Sequence, residues 1–384
     1  MKETVIVFGG DGFCGWPTSL HLASSGHTVL IVDNLIRREI DLQLGSNSLT
    51  RIETIENRIK VAKEIFSNIE YINMDISAEV TALRNLLSTW KPEAVIQFAE
   101  QRAAPYSMID DKARRYTVDN NITGTHNICS AIVDIDPSIH LVHLGTMGVY
   151  GYSKEFGSIP EGYLDITINS TGNSTEVLYP ANPGSVYHMT KCLDQLIFQF
   201  YNKNWGLKVT DLHQGIVWGV QTEETKKDKA LINRFDYDGI YGTVLNRFLS
   251  QSANNEPLSV YGTGGQARAF IHISDTAKCL KIAIESASSH NFKRVRIMNQ
   301  VSEVQTVKGL AELISRKTGV SINFLDNPRK ELSENDLEVD NKNFLSLGFR
   351  PTLLDEKLLE DVMEIAENSD GPFNNSVVNN SPKW

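Results

Sequence analysis

The chain has 384 residues, 41% of them apolar, which is enough to form a substantial buried core. Its formal charge of -10, from 37 basic and 47 acidic side chains, would repel a phosphate backbone, so we expect no general nucleic-acid binding. The cysteines form no metal-binding or redox motif and predict free thiols and no metal site: Cys14, Cys129, Cys192 and Cys279. The first residues enter a strand-like run directly and no apolar run reaches membrane-spanning length, so we expect a cytoplasmic protein without membrane contact.

Short apolar or β-branched runs alternate with longer amphipathic segments in the first part of the chain. The strand-like runs are TVIVFGG, HTVLIVDN, IEYINMD, AVIQFAE, HLVHLGT and KVTDLHQGIVWG. This alternation predicts an α/β fold, a Rossmann-type doubly wound parallel sheet, over residues 1–220. Weaker alternation over 221–368 predicts a smaller α+β substrate-binding region, with some segments returning to the first domain. Residues 369–384 are rich in Asn, Ser, Pro and Gly, and this composition predicts a disordered tail.

A glycine pattern follows the first predicted strand. Gly9, Gly12 and Gly15 form GxxGxxG and open a predicted helix, where the backbone can approach a pyrophosphate at the helix N-terminus. Asp33 ends the second predicted strand, where a carboxylate can bind the ribose hydroxyls of a dinucleotide. The same residue also fits a helix-capping role.

Residues after the second and third predicted strands bear on the choice of cofactor. Arg37 and Arg38 are candidates for the 2′-phosphate of NADP, but the Asp33 carboxylate would repel that group. We therefore expect NAD. Asp75 and Ile76 are placed to meet the adenine, and Asp75 equally fits a cap for the next helix.

A catalytic pair is predicted in the motif YHMTK. Tyr187 and Lys191 are four residues apart, so on a helix they share one face and the ammonium lies near the phenol. A nearby cation lowers the pKa of a phenol, and such a tyrosine can take a proton from a substrate hydroxyl as hydride leaves for NAD. Thr146 ends a predicted strand about 40 residues earlier and either shares that hydrogen bond or satisfies a strand-end amide.

The order of these features is typical of one family. With the glycine fingerprint, the strand-end threonine and YxxxK in this order, the chain resembles the extended short-chain dehydrogenase/reductase family of sugar-nucleotide epimerases and dehydratases. Segments between about Val5 and Leu354 resemble a branch of that family that adds sulfite to UDP-glucose: GGDGFCGW, VDNLIRR, EQRAAPYSMID, LGTMG, YHMTK, NRFDYD, GTVLNRF and YGTGGQARAFI. The resemblance implies UDP-glucose and sulfite as substrates and an NAD that is regenerated in each turnover.

The reaction implied by this resemblance begins with oxidation. Tyr187, helped by Thr146 and Lys191, would remove the 4-hydroxyl proton to give a 4-keto sugar. Loss of the C5 proton and the 6-hydroxyl would give a 4-keto-5-ene, to which sulfite adds at C6. Every later step depends on the ketone, so oxidation at C4 is the indispensable event.

The resemblance also implies two sets of contacts. Cofactor contacts are expected from Gly9, Gly12, Phe13, Cys14, Gly15, Asp33, Asn34, Arg37, Asp75, Ile76, Phe98, Ala99, Tyr187 and Lys191. Substrate contacts are expected from Gln101, Arg102, Tyr106, Thr146, Met147, Gln214, Arg234, Thr243, Arg247, Gln266, Arg268 and Arg329. Arg268, then Arg247 and Arg329, suit the substrate diphosphate, although each also fits a solvated surface arginine. The first three substrate residues belong near the glucosyl group, where Arg102 would also attract sulfite, or they form a loop-stabilising network.

One departure concerns the residues after Thr146. Dehydratases of the family carry an Asp-Glu pair there, whereas this chain has Met147 and Gly148. The sulfite-using branch usually continues with glutamate, and here the residue is Val149. His188 is the candidate for the missing acid/base because imidazole titrates near neutrality. Against that role, neighbouring helix positions point about 100° apart, so His188 need not face the cavity that Tyr187 faces.

Three other functions fit the same residues. One is an NAD-dependent sugar-nucleotide dehydratase that adds no sulfite. A C4 epimerase needs no base at C5, so a strand end without carboxylates also suits it, and a non-catalytic NAD-binding scaffold would keep the fold alone. By analogy with the family, we expect a homodimer built from two helices of each subunit, one of them carrying YxxxK. A protein that donates sulfite is a further expected partner.

Overall fold

A seven-stranded parallel sheet forms the centre of the structure, a computed structural model that describes residues 3–151, 157–369 and 373–384. The strands in chain order are β1 Thr4–Phe8, β2 Thr28–Asp33, β3 Ile69–Asn73, β4 Ala94–Gln97, β5 His140–Leu144, β6 Tyr163–Ile168, β7 Asn173–Leu178, β8 Lys208–Gln214, β9 Ile216–Trp218, β10 Leu258–Tyr261, β11 Gly265–His272, β12 Arg296–Gln300, β13 Glu303–Thr306, β14 Ile322–Leu325 and β15 Glu334–Asn335. The helices are α1 Gly15–Ser24, α2 Ile36–Leu44, α3 Ile55–Phe66, α4 Val80–Trp90, α5 Asp111–Ile135, α6 Val186–Trp205, α7 Val244–Ala253, α8 Ile273–Glu285, α9 Val307–Thr318, α10 Lys342–Ser346, α11 Leu354–Asn368 and α12 Asn375–Val378.

The strand order of the central sheet is β12-β8-β5-β4-β1-β2-β3, and each neighbouring pair is parallel. Strands buried on both faces are expected to be apolar throughout, and β1 meets this expectation with TVIVF. One face of the sheet packs against α1, α3 and α8, and the other against α4, α5 and α6. The predicted doubly wound Rossmann-type fold is therefore confirmed.

The C-terminal part of the chain contributes smaller sheets and one strand of the large sheet. β10 pairs with β14, while β11 pairs with β9, β13 and β15. Helices α7, α9 and α11 pack on these strands in a core of their own. β12 leaves this region and pairs with β8 in the central sheet.

The segment 373–384 differs from the predicted disordered tail. It contains α12, and Val378 is fully buried in the core formed by α7, α9 and α11. The Trp384 indole N–H donates to the Gly184 carbonyl at 3.2 Å, and the Arg329 guanidinium lies 5.0 Å from the centre of the indole ring. A few apolar anchors therefore order a segment whose average composition is polar.

Among the described helices, none combines the length and the apolar character that a membrane crossing requires.

Candidate active site

A cavity of about 1070 Å³ opens where the strands of the central sheet end. Its walls include Gly9 after β1, Asp33 at the end of β2, Phe98 after β4, Thr146 after β5 and Gln214 at the end of β8. The carboxyl edge of a doubly wound sheet is where such folds bind ligands. The opposite wall comes from α6 and from the C-terminal part of the chain.

Nearly all of the predicted site residues line this one cavity. They are Gly9, Gly12, Phe13, Cys14, Gly15, Asp33, Asn34, Arg37, Asp75, Ile76, Phe98, Ala99, Gln101, Arg102, Thr146, Met147, Tyr187, His188, Lys191, Gln214, Arg234, Thr243, Arg247, Gln266, Arg268 and Arg329.

Tyr106 differs from the prediction of a contact with the glucosyl group. Its ring packs against Tyr116 and Tyr241, with ring centroids 6.2 and 5.7 Å away. Tyr106 begins a short 3-10 turn, which directs its ring into a buried cluster with Ile40 and Ala103. The residue therefore supports the wall of the cavity from behind.

The glycine loop after β1 fits a dinucleotide. Gly9 has a φ of +76°, and a Cβ at this position would lie 2.6 Å from the Ala99 backbone nitrogen. The loop thus passes so close to the end of β4 that only glycine fits, and the N-terminus of α1 faces the cavity with Cys14 and Gly15. Backbone N–H groups at a helix N-terminus suit the pyrophosphate of NAD.

Asp33 fits the ribose end of NAD. Its carboxylate accepts backbone N–H groups from Asp11 at 2.9 Å and Leu35 at 2.8 Å, so it also stabilises the turn before α2. Burial raises the pKa of Asp33 to about 6, and the neighbouring Asp11 carboxylate acts in the same direction. A desolvated carboxylate gains from further hydrogen-bond donors, which ribose hydroxyls supply.

Both arginines considered for a 2′-phosphate are engaged by acids. Arg38 binds both oxygens of Asp11, at 2.7 and 2.9 Å, and donates to the Glu53 carbonyl at 2.9 Å. Arg37 forms ion pairs with Asp41 and, at 3.1 Å, with Asp236. These pairs leave the region next to Asp33 suited to NAD rather than NADP.

Asp75 serves the loop before α4 as well as the cavity wall. Its carboxylate accepts the Ser77 N–H at 2.8 Å and hydroxyl at 2.6 Å, and it accepts the Asn34 amide at 3.2 Å. Asn34 is itself a predicted cofactor residue. The turn-stabilising alternative for Asp75 therefore has direct structural support beside its position on the cavity.

Tyr187 and Lys191 lie on one face of α6, as their spacing predicts. The N-terminus of α6 is capped by Ser185, whose hydroxyl accepts the His188 N–H at 3.2 Å and so fixes the helix start at Val186, directly before Tyr187. Lys191 reaches the end of β5 and donates to the Leu144 carbonyl at 2.7 Å. The Thr146 side chain accepts the Gly148 N–H at 3.1 Å, and its effect on the Tyr187 phenol is to lower the pKa of that group.

The pKa of Tyr187 differs in sign from the prediction. Burial raises the pKa of Tyr187 above its usual value, and the Lys191 ammonium, which lowers it, does not outweigh burial. The Glu100 carboxylate raises the pKa of Tyr187 further, because it lies 2.7 Å from the Lys191 ammonium and offsets its charge. The Lys191 ammonium therefore lies near the phenol as predicted, but the Glu100 carboxylate partly neutralises its effect on the pKa of Tyr187.

His188 occupies the space that a side chain at position 148 would need. A Cβ on Gly148 would collide with the His188 ring at Cδ2 and Nε2. The ring centroids of His188 and Tyr187 are 5.2 Å apart, and both side chains line the cavity, so the angular separation of neighbouring helix positions does not take them to different sites. Burial lowers the pKa of His188 to about 4, and the charges of Arg329 and Arg268 act in the same direction. His188 is thus a neutral imidazole at neutral pH.

The three arginines predicted for a diphosphate line the far end of the cavity. Arg268 forms an ion pair with Glu331 at 2.5 Å and donates to Asn335 at 3.3 Å. The Arg247 guanidinium donates to the Val378 carbonyl at 3.4 Å and lies 4.8 Å from the centre of the Tyr261 ring. Arg247 and Arg268 are buried and Arg329 is half-buried, so all three are cavity residues rather than solvated surface arginines.

In the loop after β4, Gln101 stabilises the loop itself and Arg102 lies at the cavity wall. Gln101 donates to Thr117 at 3.0 Å and to the Ala103 carbonyl at 3.1 Å, which is the loop-stabilising network considered as an alternative. Arg102 forms an ion pair with Asp236 at 2.5 Å, and its guanidinium lies 5.4 Å from the centre of the Phe13 ring. Arg102 therefore stands beside the glycine loop.

Several cavity residues were not predicted as site residues: Glu100, Tyr116, Asn120, Tyr241 and Trp384. Glu100 carries a usable signal, since an acid directly after the apolar run AVIQFA marks a strand end at the ligand-binding edge of the sheet. Trp384 carries none, because its position depends on how a polar segment folds back.

Comparison with known proteins decides the family. A model of the NAD dependent epimerase/dehydratase family matches residues 5–297. The chain belongs to this family. It is accordingly an NAD-dependent enzyme, and the resemblance drawn from the glycine loop, Thr146 and YxxxK is confirmed.

Two relatives in this family are similar over most of the chain. The chloroplastic UDP-sulfoquinovose synthase of Spinacia oleracea is 41% identical over 370 residues, covering 95% of this chain and 76% of the relative. The UDP-sulfoquinovose synthase of Sulfolobus acidocaldarius is 37% identical over 371 residues, covering 93% and 90%. These are the relatives that represent the predicted sulfite-using branch.

The fold is shared with solved structures. The UDP-glucuronic acid 4-epimerase of Bacillus cereus, solved with UDP-glucuronic acid and NAD, aligns with a TM-score of 0.66 at 21% identity, covering 95% of this chain and 99% of that one.

Proposed function

We propose that this enzyme converts UDP-glucose and sulfite into UDP-sulfoquinovose. The observation that carries the proposal is the His188 imidazole, which stands over Gly148 where the family's dehydratases place a carboxylate. The two relatives of that name, at 41% and 37% identity, support the same reaction. The cavity has room and arginines for a diphosphate-linked sugar beside the dinucleotide.

Oxidation at C4 is the first proposed step. NAD, when bound, supplies the hydride acceptor for C4 and returns the hydride at the end of the cycle. The Tyr187 phenolate takes the 4-hydroxyl proton, and Thr146 acts beside it to lower the pKa of Tyr187. Because burial raises the pKa of Tyr187, Lys191 is needed to stabilise the phenolate that accepts this proton.

Elimination across C5 and C6 follows, with His188 as the base. A neutral imidazole has a free lone pair, and a pKa of about 4 keeps His188 in that form at neutral pH. The Ser185 hydroxyl lies 3.1 Å from Nδ1, so Nε2 is the nitrogen left for the C5 proton. The imidazolium then gives this proton to the departing 6-hydroxyl, and C5–H and C6–OH leave together as water.

Addition of sulfite completes the change at C6. The sulfite lone pair forms the C6–S bond, C5 takes a proton from solvent in place of the one lost with the 6-hydroxyl, and O4 regains the proton that Tyr187 held. The charges of Arg268 and Arg329, which both act on His188, favour an anion at this end of the cavity. Arg102 is a weaker candidate for sulfite because its guanidinium stands beside the glycine loop, 5.4 Å from the centre of the Phe13 ring.

A C4 epimerase is the second candidate. The observation that favours it is the run Met147, Gly148 and Val149, which places no carboxylate next to Thr146. Such an enzyme would return hydride to the opposite face of C4 without touching C5.

Solvent deuterium separates these two functions. After incubation with UDP-glucose in D₂O, the sulfite-using reaction predicts deuterium at C5, measured by NMR of the recovered nucleotide sugars, and His188→Ala should remove it. Tyr201→Phe, on the same helix but bonded to His126, is the matched control and should retain exchange. Inversion at C4 with hydrogen retained at C5 would identify an epimerase.

We also propose a homodimer formed through α5 and α6. An apolar stripe on α6 is exposed at Met189, Leu193, Leu196 and Phe200, with 38, 38, 58 and 55% of each side chain accessible. The spacing of these residues places them on one helix face, which a second copy would cover. A sulfite-donating protein remains a proposed partner on the basis of the substrate alone.

A further inference from the structure

A cluster of buried ionisable side chains lies directly beneath the Tyr187–Lys191 pair. It consists of Glu100 after β4, His143 on β5, Lys191 and Asp194 on α6, and Asp211 on β8. Between 0 and 4% of each of these side chains is exposed. Unpaired charge is costly when it is desolvated, so the charges of this cluster must nearly balance.

The charge states follow from the contacts. Burial and Lys191 lower the pKa of His143, but the Asp211 and Glu100 carboxylates raise it more, to about 9. Burial and the Glu100 charge raise the pKa of Asp194 well above its usual value, which disfavours a second negative charge beside Glu100. Lys191 and His143 are thus the cations that face the Glu100 and Asp211 carboxylates, and Asp211 also lies 3.0 Å from His213.

Glu100 lies between the two cations. One carboxylate oxygen is 2.7 Å from Lys191 Nζ, and the other is 3.0 Å from His143 Nε2. These two nitrogens are themselves only 3.0 Å apart. His143 is held from the other side by Asp211, 2.8 Å from Nδ1. Glu100, His143 and Asp194 are residue types that bind metal ions, but the Lys191 ammonium already supplies the cation at this position.

We propose that Glu100 is a positioning residue, whose carboxylate holds the Lys191 ammonium against the His143 imidazolium and so sets the charge that the Tyr187 phenol experiences. The inference rests on the proposed role of Tyr187 as the proton acceptor. Glu100 does not act on the sugar in this account; it acts through Lys191.

The charged groups that face Tyr187 determine the sign of the effect. Lys191 and Arg102 lower the pKa of the phenol, the Thr146 hydrogen bond lowers it, and Glu100 raises it. Replacing the Glu100 carboxylate with an amide removes a negative charge near the phenolate. The pKa of Tyr187 should therefore fall, and the phenol should ionise at lower pH.

Glu100→Gln tests this inference through the C4 oxidation alone. Absorbance of reduced NAD, followed after mixing with UDP-glucose without sulfite, gives the rate of that step from neutral to alkaline pH. We expect the rise of this rate with pH to move to lower pH, with the maximal rate reduced about tenfold because Lys191 loses its anchor. The KM for UDP-glucose should change little.

Two further variants separate charge from packing. Glu100→Asp keeps the charge but withdraws the carboxylate, so it should lower the rate without moving the pH profile. Asp194→Asn changes an acid that lies 3.5 Å from His143 Nε2 and is not among the main groups that shift the pKa of Tyr187, so it should leave the profile in place. If Glu100→Gln does not fold, the variants Glu100→Asp and Asp194→Asn still test the inference. The inference then requires that Glu100→Asp lowers the rate and that Asp194→Asn does not.

A spectroscopic titration distinguishes failure of the inference from failure of the proposed function. The ultraviolet difference between the wild type and Tyr187→Phe reports ionisation of Tyr187 directly, whether or not sugar is oxidised. The ultraviolet difference between Glu100→Gln and the double variant Glu100→Gln with Tyr187→Phe should show this ionisation at lower pH. An unchanged titration and an unchanged pH profile in Glu100→Gln would overturn the positioning role.

Discussion

Gly148 and His188 account for the missing carboxylates at the strand end. A side chain at position 148 would collide with the His188 ring, so the glycine and the histidine depend on each other. In the proposed mechanism, the acid-base work at C5 and C6 therefore belongs to His188 on α6 and not to the strand end. Sequence spacing predicted Tyr187 and Lys191 on one face, but the position of the His188 ring depends on the packing of α6 against β5, which no local pattern encodes.

Gly148→Ala tests this dependence. The added methyl group should displace the His188 ring and lower kcat about tenfold to a hundredfold, since small misplacements of catalytic groups have effects of that size. Bound NAD should be retained. Gly184→Ala is the matched control, because its Cβ would meet only His188 Nδ1 at 3.8 Å, an ordinary contact. Equal activity in the two variants would contradict the proposed role of the ring.

Tyr187→Phe tests the proton acceptor. The variant should keep its NAD and lose about 10²- to 10⁴-fold in turnover, the contribution typical of general acid-base catalysis. Tyr201→Phe, on the same helix but bonded to His126, should retain activity. Wild-type turnover in Tyr187→Phe would exclude the proposed proton route.

At the scale of elements, α6 has a buried face that carries proposed catalytic residues and an exposed face that is the proposed subunit interface. Its buried face carries Lys191 and Phe198, while its outer face exposes Leu196 and Phe200. The sequence predicts this helix, the central strands and the glycine loop well, because apolar periodicity and glycine spacing are local signals. It predicts the pKa of Tyr187 with the wrong sign because burial and the Glu100 carboxylate, contributed by another element, oppose Lys191.

A double substitution on α6 tests the proposed subunit interface. Leu196→Glu with Phe200→Glu places two charges on the apolar stripe, so the protein should sediment as a monomer in analytical ultracentrifugation. Lys60→Glu, an exposed change on α3, should leave the assembly unchanged. A dimer that survives the double substitution would place the interface elsewhere.

At the scale of the whole molecule, one cavity joins the two parts of the chain. The glycine loop and strand ends supply one wall, and Arg247, Arg268 and the final segment supply the other. Trp384 bonds Gly184 next to α6, so the segment 373–384 reaches the first part of the chain. Composition predicted disorder here because it averages over the segment and misses Val378, a single buried anchor.

Val378→Ala tests whether this anchor stabilises the fold. Loss of two buried methyl groups should lower the free energy of unfolding by about 1–3 kcal/mol, measured by urea unfolding. Lys383→Ala, an exposed change in the same segment, should have almost no effect. Equal stability of the wild type and Val378→Ala would show that the segment adds nothing to the core.

The central claim is that sulfite is a substrate, and mass spectrometry of the products tests it most directly. The enzyme is incubated with UDP-glucose, with and without sulfite. The nucleotide sugars are then separated by chromatography and their molecular masses are measured. We predict a sulfonated nucleotide sugar that forms only when sulfite is present and is absent in Tyr187→Phe. UDP-galactose as the sole product under both conditions would contradict the account and identify a C4 epimerase.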